Sequence, residues 1–148
     1  MDILNLFSLD LLNYPDDNFT LVGQTDRPNG AGFKEYAAGL TIKEKGLFDI
    51  IDIVLFETGT KNVTLKTYDI DLIDLTALDK LIKEICSIYG ADSKNKSELT
   101  LQEIEYLEHP ILYSQFSRQW DTPQKYKYPM AINRTSEDLS LTVWSIGK

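Results

Sequence analysis

Phe48-Asp-Ile-Ile-Asp-Ile-Val-Leu-Phe56 is followed by the breaker Thr58-Gly-Thr60, by Val63-Thr-Leu-Lys-Thr-Tyr68, and then by Leu75, Leu78, Leu81, Ile82, Ile85, Ile88 and Tyr89. The first two runs are rich in β-branched and aromatic residues, and the glycine-containing break between them reads as a turn between strands. The apolar residues that follow recur every three or four positions, the mark of an amphipathic helix lying on a sheet. Asp74 stands where an N-cap belongs, and Gly90 where a helix stops. Residues 48–90 thus decide the fold class, and they carry no catalytic signature.

Working outward toward the N-terminus, Phe19-Thr-Leu-Val22 and Phe33 to Ile42 read as strands, and Lys43-Glu-Lys-Gly46 as the turn into Phe48. Between those strands, Gly23-Gln-Thr-Asp-Arg-Pro-Asn-Gly-Ala-Gly32 reads as a mobile hairpin loop. It is no phosphate loop, because Gly-Lys-Ser/Thr is missing and a strand follows it in place of a helix. Tyr14-Pro-Asp-Asp-Asn18 breaks an apolar run from Met1 to Leu12 that is expected to form a short docking helix.

Toward the C-terminus, a polar loop from Asp92 to Glu98 leads into a second helix. There Thr100 and Glu103 make a capping box, Leu99 and Ile104 occupy staple positions, and Pro110 ends the helix. Ile111 to Trp120 fits a strand with Leu112, Ser114, Phe116, Arg118 and Trp120 on one face. It also fits a helix, through the four-residue spacing of Leu112, Phe116 and Trp120. The strand is preferred because Asp121-Thr-Pro123 punctuates it and two more strand-like runs follow, Tyr126 to Arg134 and Leu139 to Ile146. Pro129 places the first of these at an edge or a bulge. The expectation is an α+β fold: a largely antiparallel β-sheet of about six to seven strands, with an N-terminal helix and two central helices packed on it.

A chain of 148 residues suits one globular domain, residues 1–148. Hydrophobic residues make up 43% and charged residues 26%, which argues against wholesale disorder. No apolar run approaches the ~20 residues that cross a bilayer, so no membrane association is expected. Asp2 and Asp10, with no basic start, distinguish the N-terminus from a secretory signal, and a cytoplasmic location is expected. The single cysteine, Cys86, excludes an internal disulfide and reads as a small buried hydrophobe. Four Asn-x-Ser/Thr sequons, at Asn18, Asn62, Asn95 and Asn133, read as turn and strand-edge chemistry.

The net charge of −8 is unevenly spread. Residues 48–92 hold nine acids against four lysines, a balance of −5, whereas residues 112–135 hold Arg118, Lys125, Lys127 and Arg134 against Asp121 alone. Four cations in an acidic chain match a phosphate backbone poorly, so no nucleic-acid partner is expected. A basic protein partner fits better, since complementary fields accelerate encounter and select partners.

Little in the sequence supports catalysis. His109, the one histidine, ends a helix, where a cation complements the dipole. One His and one Cys do not supply a zinc site, so no metal or cofactor is expected. Asp69 and Asp71, if they lie on a strand, share a face at roughly 7 Å, and Asp49 and Asp52 straddle opposite faces. Arg118, between Phe116 and Trp120, has the composition of an interface anchor or anion clamp.

The reading that follows is a non-catalytic protein-binding domain, of the inhibitor or immunity type, that masks a basic partner such as a toxin. Its expected contact residues are Asp52, Asp69, Asp71, Arg118, Trp120 and Tyr126. Two alternatives stand beside it. One is a small-molecule carrier whose curved sheet encloses a pocket lined by Phe48, Phe56, Phe116 and Trp120. The other is a hydrolase or lyase using Asp69, Asp71 and Arg118.

Overall fold

The structure is a computed structural model that describes residues 2–26, 32–109, 116–122 and 125–147. Seven strands form one sheet: β1 (Thr20–Thr25), β2 (Phe33–Glu44), β3 (Phe48–Phe56), β4 (Lys61–Thr67), β5 (Phe116–Trp120), β6 (Met130–Arg134) and β7 (Leu139–Ile146). Their spatial order is β1-β2-β3-β4-β7-β6-β5, and every neighbouring pair is antiparallel. Two meanders, β1 to β4 and β5 to β7, are therefore joined along a single seam between β4 and β7. The link from β4 to β5 carries α1 (Leu75–Tyr89) and α2 (Leu101–Glu108).

Register explains the core. Ile51 and Ile53 pair with Leu65 and Val63, which pair in turn with Leu141 and Val143, and these with Ile132 and Met130. All are buried, and they meet Leu78, Leu81, Ile82 and Ile85 of α1 in one cluster. The alternate residues on the opposite face, Asp52, Val54, Asn62, Thr64, Lys66 and Thr142, are half-buried. Such alternation is what an antiparallel sheet with a single covered face requires.

Both central helices begin as their sequences dictate. The Asp74 carboxylate accepts from Ala77 N at 3.0 Å, and Gly90 closes α1 with φ +87°, a conformation that favours glycine. The Thr100–Glu103 capping box is complete, and Leu99 is buried while Ile104 packs against the core.

Four expectations need correction. The N-terminal run is no helix beyond one 3-10 turn, Ile3–Leu6. Its apolar spacing suits a helix, but the Ser8 N–H goes to the Glu44 carboxylate at 2.9 Å, so the ladder stops there. Asp69 and Asp71 lie on a second 3-10 turn, Ile70–Leu72, and not on a strand. The strand expected from Tyr126 begins only at Met130, just beyond Pro129, which cannot donate to a ladder. Part of the presumed loop is also strand, since Gly23 belongs to β1. Its tip at 27–31, Pro110 to Gln115 and Pro123 lie outside the described residues.

Candidate functional site

Exposed apolar and acidic side chains alternate where β4 leaves the sheet. The β3–β4 ladder runs to Ile50↔Lys66, and the chain then turns through Tyr68 to Asp74 before α1 begins. Ile70 and Ile73 pack against the core and anchor this turn, which throws the residues between and around them outward. Tyr68 is 57% exposed and Leu72 75% exposed. Asp69 and Asp71 are also exposed. Asp69 sits at the N-cap of its turn without a capping hydrogen bond from its side chain. Among the described residues, neither carboxylate takes part in an ion pair. The result is a ledge of two free carboxylates interleaved with an aromatic ring and a leucine. Asp74 adjoins it, but its carboxylate is committed to capping α1.

Asp52 lies on the uncovered sheet face, bound to Lys66 Nζ at 2.5 Å. Burial works against the Lys66 charge, yet hydrogen bonds to Asp52 and Tyr68 outweigh it and raise the Lys66 pKa above its ordinary value. The ammonium also sits 5.2 Å from the Tyr68 ring centroid. Asp52 is thus neutralised within the protein, and its part at the ledge is indirect: it fixes Lys66, which supports Tyr68.

Arg118, Trp120 and Tyr126 are all buried, which corrects the expectation that they face a partner. The alternation of β5 was read correctly, but its Phe116, Arg118 and Trp120 face is the inner one. Arg118 donates bidentately to Glu103, from Nε at 2.8 Å and Nη2 at 2.7 Å, and from Nη1 to Asp92 at 3.1 Å. It also donates to the Glu98 carbonyl. Burial raises the Glu103 pKa, but hydrogen bonds from Arg118 and Thr100 overcome it and bring the carboxyl down to about 2. Trp120 Nε1 donates to Gly90 O at 3.1 Å and the Tyr126 hydroxyl to Ala91 O at 3.0 Å. These three side chains tie the second meander to the end of α1 and the loop after it.

The other chemical readings find little geometry. Phe48, Phe116 and Trp120 belong to the closed core, whereas Phe56 lies across from it, edge-on to Phe33 at 6.1 Å, so the four do not line one cavity. Arg118 is paired with Asp92 and Glu103, and not with Asp69 or Asp71. Burial pushes the Cys86 thiol up, away from the thiolate. Among the described residues, no group of three or more His, Cys, Asp or Glu is placed to hold a metal ion, and no helix is long and apolar enough to cross a membrane. No family model matches the chain, and the searches of curated proteins and solved structures found no match to it.

Proposed function

We propose that this chain is a non-catalytic protein-binding domain, an acidic antagonist of the inhibitor or immunity type that masks a basic protein such as a toxin. The observation that carries the reading is the ledge: Tyr68 and Leu72 exposed beside the free carboxylates of Asp69 and Asp71. Large exposed apolar side chains rimmed by charge are the composition of a contact surface, in which the apolar groups anchor and the charges select. The surrounding charge agrees, since residues 48–92 carry a balance of −5. Arg118, Trp120 and Tyr126 are buried, so the reading rests on the ledge and not on them.

The test is capture from lysate of the source organism, followed by charge reversal. A single basic protein should be retained at low salt and shed at high salt. Asp69→Lys with Asp71→Lys should weaken its binding roughly tenfold, about 1.4 kcal/mol. The same reversal at Glu105 and Glu108, exposed on α2, should have a much smaller effect. Equal losses at both pairs would reduce the ledge to a contributor of net charge and refute the assignment.

A further inference from the structure

β2 pairs with β3 from Phe33↔Phe56 to Gly39↔Ile50 and resumes only at Glu44↔Phe48, so Leu40 to Lys43 stand opposite Asp49 alone. Extra residues in one strand of an antiparallel pair bend it and re-aim its side chains, a device common next to active sites. Here Leu40, Thr41, Ile42 and Lys43 all line one cavity of about 470 Å³, while Asp49 does not. Small-molecule sites occupy about 300–1,000 Å³.

The other wall is the N-terminal segment, which contributes Leu6 and Leu9. That segment is pinned at two points. Ser8 N and Oγ both donate to Glu44, and Lys61 Nζ donates to the carbonyls of Leu12, at 2.7 Å, and Tyr14. Leu6, Leu9 and Leu40 pack on the core with part of each side chain uncovered, and Ile42 is 84% exposed. Two of the three charged groups on the cavity wall are committed: Glu44 is buried against Ser8, and Lys45 Nζ bonds Glu84 at 3.1 Å. Lys43 is exposed and, among the described residues, takes part in no ion pair. In a chain of net charge −8, the uncommitted charge on this aliphatic wall is therefore positive.

We propose that this cavity binds a free medium-chain carboxylate, with its alkyl chain against Leu6, Leu9, Leu40 and Ile42 and its headgroup on the Lys43 ammonium. A mostly aliphatic lining with one placed polar group is the usual make-up of a small-ligand site. A peptide would bring main-chain N–H and C=O groups against leucines that cannot pair with them. A cationic amphiphile would meet Lys43 with like charge, and an alcohol would leave that charge unanswered. The site is separate from the ledge and does not depend on it.

The test is titration of the full chain with hexanoate, octanoate and decanoate, followed through amide chemical shifts. Shifts should centre on residues 6–9 and 40–45, and affinity should rise about fourfold per methylene, as burial of the chain requires. Lys43→Glu should weaken decanoate roughly tenfold, because it removes an attraction and adds a repulsion, and should change decanol little. Ile42→Asn should weaken both. Both positions are exposed, so neither variant disturbs the fold. Asp69→Lys with Asp71→Lys should leave decanoate affinity unchanged. Failure of decanoate to bind, decylammonium binding as tightly, an affinity indifferent to chain length, or shifts centred elsewhere each overturns the inference. So does concentration-dependent self-association that shifts the same amides without ligand, because the occupant is then a second copy of the chain.

Discussion

Arg118 is 1% exposed and satisfied on three sides, so removing it leaves two inward carboxylates with backbone and hydroxyl donors but no cation. Arg118→Leu leaves Asp92 and Glu103 without their cation and should cost about 3–5 kcal/mol, read as a lower urea midpoint. Acid acts on the same group with a definite sign. The folded Glu103 pKa, about 2, lies below the unfolded value of about 4.3, so its stabilisation is full above that higher value. It is lost as pH falls toward 2, and Glu103→Gln should flatten the urea midpoint between those limits. The buried role of Arg118 was not legible from its neighbours. Phe116 and Trp120 suggested an exposed anchor, whereas the acids that hold Arg118 are 26 and 15 residues away in sequence. The capping box at Thr100 was legible, but not that Glu103 uses the same carboxylate twice.

Elements governed by their own residues were read closely. α1 begins and ends where Asp74 and Gly90 placed it, and β7 spans Leu139–Ile146 as expected. Asp74→Ala should cost about 1 kcal/mol through the lost cap, and Leu81→Ala about 2–5 kcal/mol through the cavity left in the core, both measured by chemical denaturation. Elements set by distant partners were misread. The N-terminal run has helical spacing, but Glu44 takes the Ser8 N–H from 36 residues away. Lys61 completes that capture: burial lowers its pKa, and its ammonium donates hydrogen bonds to two carbonyls of the segment. Lys61→Met should therefore loosen residues 7–19, seen as faster amide exchange there with little change in α1. The ledge was half legible. Asp69 and Asp71 were singled out, yet the anchoring of Ile70 and Ile73 that turns them outward depends on the core.

At the scale of the molecule, the charge of −8 bears on the proposed binding of a basic protein. Raising ionic strength from about 0.01 to about 0.15 M shortens the screening length from ~30 to ~8 Å. Association with a basic protein should slow accordingly in stopped-flow mixing, while dissociation changes little. The order of strands was beyond sequence reading because nothing local says that β7 joins β4. That seam has a temporal meaning. Thr64 and Thr142 face each other across 78 residues, so a chain emerging from the ribosome completes its first meander long before the partner of β4 exists. Until Leu139–Ile146 arrives, Val63 and Leu65 border a bare strand edge open to wrong pairing. A 1–138 fragment should sediment as aggregate where the full chain stays dispersed. Synthesis of this protein thus has a vulnerable interval, and its length is set by the time needed to make both helices and the last three strands.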